Sequence, residues 1–171
     1  MPYLLNLLKI LIVLVPILAA VRVWHMFRAR AMRTLAANRG FQYIGPGAPK
    51  WWNPSHPRLS PPLPGQVAHD FASLRQVWNV IEGRQNGVSV FIFDSVMGWY
   101  GKGGGATCTF IACHGEPSPF GIGTSRDFVI QSHGWTVLHG RLLWLPWPIS
   151  VKRLDSYLKN LRVGACEPSC R

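Results

Sequence analysis

The chain of 171 residues is 48% apolar and only 15% charged, and it carries 18 lysines and arginines against 7 aspartates and glutamates. Disordered chains combine low hydrophobicity with high charge density, and ordinary soluble domains have about 25% charged residues, so the composition disfavours both classes. The formal net charge of +11 favours an anionic partner, which could be phospholipid headgroups, nucleic acid or an acidic protein.

The first element is an apolar segment over residues 3–21, in which only Asn6 and Lys9 are strongly polar. A helix of this length spans about 28 Å, close to the roughly 30 Å hydrocarbon core of a bilayer. Pro16 is tolerated in membrane helices. Residues 1–21 are therefore predicted to form a transmembrane anchor. A cleaved signal peptide is the alternative, and the arginines that follow the segment disfavour it.

Residues 22–40 are basic and helix-compatible, and Gly40 is well placed to end the helix. Basic residues beside a membrane span attract anionic lipid at about 1 kcal/mol per charge. The residues predicted to contact lipid at the interface are Arg22, Trp24, Arg28, Arg30 and Arg33. By the positive-inside rule, the chain lies in the inner (plasma) membrane with its N-terminus outside and the following domain in the cytoplasm.

A short strand over residues 41–44 precedes a proline-rich stretch, residues 45–65, which holds seven of the 14 prolines. So much proline excludes regular structure and favours an extended chain. Residues 58–64 (RLSPPLP) fit the pattern that SH3-type domains bind, but proline-rich spacers also produce this pattern by chance. The sequence leaves open whether the stretch is a spacer or a docking site.

The clearest local pattern is a β-hairpin, in which residues 76–82 and 88–95 flank a turn that contains Asn86 and Gly87. Both faces of the second strand are largely apolar, which predicts a central strand covered on both sides. Further strands are predicted over residues 106–113, 127–131, 136–139 and 141–145, with a glycine-rich loop over residues 97–105.

A C-terminal helix is predicted over residues 151–163, with Ser150 as its N-cap and Gly164 as its terminator. Its apolar residues recur at helical spacing, which predicts a face that packs on the domain core. These residues are Val151, Leu154, Leu158 and Leu161.

The elements together predict an α+β fold, with an N-terminal transmembrane helix, a small antiparallel sheet or barrel of about six or seven short strands, and a C-terminal helix. The predicted divisions are an anchor (1–21), a basic juxtamembrane helix (22–40), a short strand with the proline-rich segment (41–65), an α+β domain (66–164) and a flexible cysteine-containing tail (165–171). A barrel of this size would be analogous to pleckstrin-homology domains, but fold does not fix function.

Several short motifs carry a family resemblance. They are residues 33–41 (RTLAANRGF), residues 79–83 (NVIEG) with Gly87, residues 90–94 (VFIFD), and the closing helix over residues 149–161. In these motifs the chain resembles an uncharacterised family of bacterial single-pass membrane proteins, and it departs from that family in its proline-rich insert and cysteine tail. The resemblance implies a membrane-anchored domain of unknown function and brings no catalytic residues.

The glycine-rich segment over residues 98–105 lacks the spacing of a phosphate-binding loop. Its larger side chains are candidate contacts for a ligand or a protein partner, and they are Trp99, Tyr100 and Lys102.

The residues that could support catalysis or bind a metal are few. His114 and Glu116 match the H-x-E of zinc deaminases, but the P-C-x-x-C that completes such a site is missing. Cys108 and Cys113 have opposite parity in a strand and should face opposite sides, which disfavours a shared zinc site with the two tail cysteines. Asp94 is expected in a salt bridge or turn contact, with acid–base work as the alternative. No cofactor, metal or catalytic residue is predicted.

The sequence therefore favours a membrane-anchored domain that binds a protein partner or the anionic membrane surface. The alternative is a small membrane-tethered enzyme that acts on an envelope or lipid-linked substrate through Asp94, His114 or Glu116. Binding to nucleic acid is disfavoured because only the net charge supports it.

Overall fold

The computed structural model describes residues 2–45, 47, 77–99, 102–114, 127–142, 145–146 and 148–161. The elements in these ranges are α1 (Pro2–Arg39), β1 (Gln42–Ile44), β2 (Val77–Gln85), β3 (Val88–Trp99), β4 (Lys102–His114), β5 (Asp127–Ser132), β6 (Trp135–Leu142), β7 (Leu145–Pro146) and α2 (Val151–Asn160). The fold is α+β, as the sequence predicts. Most of the proline-rich segment and the cysteine tail lie outside the described residues.

The long helix α1 has two parts with different surroundings. Near the N-terminus it is long and apolar enough to cross a membrane, with an 18-residue window of mean hydropathy 2.3 that is 0% buried. From His25 onwards, one face is buried at helical spacing, and its residues are His25, Arg28, Ala29, Met32, Leu35 and Ala36. The N-terminal part of this continuous helix is therefore apolar and exposed, whereas one face of its C-terminal part packs in the core.

The end of α1 is a Schellman motif, which turns the chain into β1. Gly40 has a φ of 67°, its N–H donates to the Ala37 carbonyl at 3.2 Å, and the Phe41 N–H donates to the Ala36 carbonyl at 2.8 Å. Phe41 is buried, and its ring lies against Gly83, where an added Cβ would come within 2.2 Å of the ring. This contact fixes the end of α1 on strand β2.

The strands pair antiparallel in the order β1-β2-β3-β4-β6-β5, and β7 pairs with β6. The described pairings thus give an open sheet with β1 and β5 at its edges and not a closed barrel. β3 is central, as predicted. On one face, Val90 and Ile92 pack with side chains from α1 and α2, and on the other face Phe93 packs with Phe110 and Val137.

The turn between β2 and β3 also agrees with the prediction, since Asn86 and Gly87 have φ values of 50° and 83°. The predicted loop over residues 97–105 is wrong. β3 continues to Trp99 and β4 begins at Lys102, with Met97 paired to Ala106 and Gly98 to Gly105. Strand pairing uses backbone groups, so a favourable register can extend through glycines that have low strand propensity.

Helix α2 begins where predicted, because the Ser150 hydroxyl accepts a hydrogen bond from the Arg153 N–H at 3.4 Å. It ends at Asn160, before the predicted end, because Leu161 takes an extended conformation and is buried in the core. The strand predicted over residues 141–145 is divided, with the end of β6 at Leu142 and β7 at Leu145–Pro146.

Candidate functional site

A buried ion pair joins the core part of α1 to the centre of the sheet. Arg28 is 8% exposed and Asp94, on β3, is 0% exposed. The Arg28 Nε and Nη2 atoms each donate to one oxygen of the Asp94 carboxylate, both at 2.7 Å. Such a two-bond arrangement is the strongest that an arginine and a carboxylate can form, and it fixes their relative orientation.

Two further residues complete the hydrogen bonding of Asp94. Thr109 lies directly opposite it on β4 and donates to Oδ1 at 2.7 Å, and the Asn79 amide donates to Oδ2 at 2.8 Å. Each carboxylate oxygen therefore accepts two bonds, which uses the roughly four acceptor positions of the group. The Thr109 hydroxyl in turn accepts bonds from Arg28 and from the Ile149 N–H, the latter at 3.1 Å.

Asn79 reaches Asp94 because of a β-bulge in β2. The pairing shifts between Trp78, which opposes Asp94, and Ile81, which opposes Ile92, so β2 has one residue more than β3 in this interval. Asn79 takes a φ of 52° there, a left-handed conformation that asparagine tolerates better than most residues. The bulge places Trp78 and Asn79 on the α1 side of the sheet together.

The remaining contacts extend this arrangement to β1 and to the segment before α2. The Tyr43 hydroxyl donates to the Asn79 Oδ1 at 2.7 Å, and Arg28 Nη1 donates to the Ile149 carbonyl at 3.0 Å. Burial raises the pKa of Tyr43, and the nearby Arg33 guanidinium opposes that rise. We call this set the ion-pair cluster, and it consists of Arg28, Tyr43, Asn79, Asp94, Thr109 and the backbone of Ile149.

The chemistry of the cluster indicates positioning of α1 and not acid–base catalysis. The oxygens of Asp94 are occupied by partners and the side chain is buried, so no acceptor position faces a substrate. Removing one partner of a buried ion pair typically costs about 3–5 kcal/mol, because the other charge is left uncompensated. The cluster therefore specifies how α1 is attached to the rest of the domain.

The interface residues predicted from sequence fall into two groups. Arg22, Trp24, Arg30 and Arg33 are exposed on α1, with Trp24 41% exposed. Arg28 is buried in the ion-pair cluster, so the expectation that it contacts lipid is corrected. The sequence pattern did contain this distinction, because Arg28 shares the helical face of Met32 and Leu35.

The other candidate residues lie apart from the cluster. Trp99 and Lys102 are paired at the far end of the β3–β4 hairpin, and Tyr100 lies outside the described residues. His114 is exposed at the end of β4, where its ring meets that of Trp135 edge-on at 5.5 Å, and Glu116 is also outside the described residues. The structure does not bring Asp94 and His114 together.

The strand cysteines face opposite sides of the sheet, as predicted, since Cys113 belongs to the α1 side and Cys108 to the other. The Cys108 thiol donates to the Gly140 carbonyl at 3.2 Å and lies 3.8 Å from His139 Nδ1. Both residues are buried, so a substrate cannot reach this thiol and imidazole. Within the described ranges, no three His, Cys, Asp or Glu residues are placed to hold a metal ion.

Sequence reasoning missed the partners of Asp94. A charged residue in an apolar strand predicts a salt bridge, but nothing local identifies Arg28 as the partner, because 66 positions separate them. Asn79 and Thr109 give no periodic signal of their own. The clearest indication that the two residues are partners was their opposite charge in apolar surroundings. Arg28 is a basic residue on an apolar helical face, and Asp94 is an acidic residue in an apolar strand.

Comparisons with known proteins give no match for this chain, whether to a family model, to a curated protein or to a solved structure. The resemblance to a family of bacterial membrane proteins stays a prediction from the quoted motifs. What can be said of function rests on the geometry of the described residues.

Proposed function

We propose that the chain is a single-pass protein of the inner (plasma) membrane, whose cytoplasmic domain is held against the bilayer and binds anionic lipid headgroups. Residues 3–21 of α1 span the membrane, the N-terminus lies outside, and the basic flank lies inside. The observation that carries the proposal is the exposed arginine row on α1, directly beyond the apolar segment and beside the face that the domain covers.

The distance between the membrane span and the domain is short. His25 is the first α1 residue of the buried face, and it follows Val21 by four residues, or about 6 Å of helix. The polar headgroup layer on each side of the hydrocarbon is about 5–8 Å thick. A domain attached at His25 therefore touches the headgroup layer, and the ion-pair cluster holds it in that orientation.

The exposed arginines form a row along α1. At 100° per residue, Arg22, Met26, Arg30 and Arg33 lie within an arc of about 80°. Measured from Val21, these arginines lie about 2 Å, 13 Å and 18 Å beyond the span. Because surface potentials decay over about 8–10 Å, Arg22 is expected to contribute most to lipid attraction and Arg33 least.

The test uses the full chain in bilayers that contain a trace of spin-labelled phosphatidylglycerol or phosphatidylcholine. Electron paramagnetic resonance then gives the relative affinity of the protein boundary for the anionic lipid. We expect wild type to prefer phosphatidylglycerol, and the preference to fall most in Arg22→Gln, less in Arg30→Gln and least in Arg33→Gln.

The matched control is Arg84→Gln, because Arg84 is an exposed arginine near the β2–β3 turn, at the end of the sheet far from His25. It should leave the lipid preference unchanged. Equal effects of Arg84 and Arg22, or a wild type that does not distinguish the two lipids, would contradict lipid binding by the arginine row.

A protein partner is the second candidate. Met26 and Phe27 are 65% and 68% exposed just beyond the span, which would suit a neighbouring membrane helix. In that case the boundary lipid would be excluded from this side of α1, and Phe27→Ala would increase the number of lipids that contact the protein.

A further inference from the structure

β3 and β4 stay paired with each other beyond Asp94 and Thr109, as far as Trp99 and Lys102. Among the described residues, β2 pairs with β3 as far as Ser95, and β6 pairs with β4 from Phe110 onwards. Cys108 and Thr109 are fully buried in the domain, so only residues 96–99 and 102–107 continue the hairpin past this point. We call this two-stranded extension the hairpin arm.

Two contacts determine which way the arm points. The His25 and Trp78 rings meet at 6.2 Å, and Phe41 lies against Gly83, so α1 and β2 run in the same general direction. β3 is antiparallel to β2. Beyond Asp94, β3 therefore runs towards the N-terminal, apolar end of α1, and the arm points towards the membrane.

The length of the arm is sufficient to reach the bilayer. Arg28 lies seven residues, or about 10 Å, beyond Val21 along α1. From Asp94, the partner of Arg28, five more residues lead to Trp99, which is about 16 Å along the strand. Even if the strand is inclined by about 45° to the helix, it descends about 12 Å, which brings Trp99 and Lys102 to the level where the span ends.

We propose that the hairpin arm is a second membrane contact, which rests in the headgroup layer beside α1. This rests on the proposed function, since it takes residues 3–21 as the span. Tryptophan and lysine are the residue types that favour the interface between hydrocarbon and water. The domain would thus meet the membrane at two points, and α1 could not rotate freely about its own axis.

The experiment measures the depth of nitroxide labels on the full chain in bilayers. Labels are placed singly at Trp99→Cys, at Ile12→Cys in the span and at Arg84→Cys at the far end of the sheet, in a background with Cys166→Ser and Cys170→Ser. Cys108 and Cys113 can stay, because both are fully buried, and burial raises the pKa of Cys113 to about 12. Collision rates with oxygen, which favours lipid, and with a nickel chelate, which favours water, give the depth.

We expect the nickel collision rate at position 99 to be several-fold lower than at position 84, with a depth at the headgroup level. A label at position 99 that is as accessible to nickel as position 84, while position 12 is protected, would overturn the hairpin arm and leave the anchor intact. If position 12 is itself accessible, the membrane span fails, and the proposed function fails with it. Lys102→Cys repeats the measurement in case Trp99→Cys does not fold.

Discussion

At Asn79, one unusual backbone conformation decides which side chains meet at the centre of the domain. The φ of 52° and the bulge turn its amide towards Asp94, while its Oδ1 accepts from Tyr43. An ordinary strand residue would alternate and point away from α1. The ion-pair cluster therefore depends on an irregularity in β2 as much as on the charges themselves.

Two substitutions of Asn79 separate the contribution of its amide hydrogen bonds from the cost of its left-handed backbone conformation. Asn79→Ala removes both hydrogen bonds and keeps a Cβ at positive φ, so we expect a loss of about 2–4 kcal/mol in the free energy of unfolding. Asn79→Gly removes the same two hydrogen bonds, but glycine adopts a positive φ without strain. We therefore expect its loss in the free energy of unfolding to be about 1 kcal/mol smaller than that of Asn79→Ala. Denaturant titration of the detergent-solubilised chain, followed by tryptophan fluorescence, measures both.

His133 provides the matched control, because it has a φ of 49° in an exposed turn outside the cluster. The difference between its Ala and Gly variants should equal that at Asn79, because both positions have a positive φ. If Asn79→Gly is as stable as wild type, the amide contributes nothing to the cluster.

At the scale of elements, α1 and α2 are joined by a second, more exposed ion pair. Arg39 Nε donates to Asp155 Oδ1 at 2.9 Å, and Lys159 Nζ lies 2.9 Å from Oδ2. Hydrogen bonds from Arg39 and then Lys159 lower the pKa of Asp155. The side chain of Asp155 is 32% exposed, so solvent screening limits the contribution of the pair to about 1 kcal/mol or less.

The pH dependence of this link has a definite sign. Because the pKa of Asp155 is lower in the folded than in the unfolded chain, its stabilisation is present above about pH 4 and is lost as pH falls through the folded value. Asp155→Asn should therefore be less stable than wild type at pH 7 by up to about 1 kcal/mol, and equal to it near pH 2. Thermal unfolding in detergent across this range measures the difference.

Glu82→Gln, at an exposed carboxylate on β2, is the control for the loss of one negative charge and should lose less stability at pH 7 than Asp155→Asn. A difference between Asp155→Asn and wild type that stays constant from pH 7 to pH 2 would show that the carboxylate charge is not what links α1 to α2.

At the scale of the whole molecule, the sequence predicted the features that arise from local pattern. The apolar segment, the Gly40 helix end, the Asn86–Gly87 turn and the two-sided burial of β3 each follow from composition or periodicity, and each is found in the structure. The α+β class follows from the order of these elements.

The features that depend on pairing between distant parts of the chain could not be predicted. The extension of β3 and β4 through the glycine-rich segment depends on register, and the bulge at Asn79 depends on what faces it across the sheet. The burial of Arg28 is indicated by the helical face that it shares with Met32 and Leu35, but nothing local identifies Asp94 as its partner. The sequence allowed the apolar segment to run on into the basic helix, as it does in α1, but it did not show that the basic part enters the core.

This continuity gives the molecule its main property. A domain on a flexible linker would move independently of the apolar part of α1, whereas here the same helix contributes Met32, Leu35 and Ala36 to the core that also holds Ile92 and the C-terminal helix. If residues 3–21 span a membrane as we propose, the arginine row and the hairpin arm have fixed positions relative to that span, and the ion-pair cluster helps to fix them.

The measurement that tests this most directly is a double-mutant cycle on Arg28 and Asp94 in the full chain, with unfolding followed in detergent. Arg28→Met and Asp94→Asn each leave one buried charge without its partner, and we expect Arg28→Met to cost about 3–5 kcal/mol. The double variant is neutral at both positions and should cost less than Arg28→Met alone, which gives a large coupling free energy. Single variants that cost under about 1 kcal/mol each and add without coupling would contradict the account, because α1 would then be an anchor that the domain does not hold.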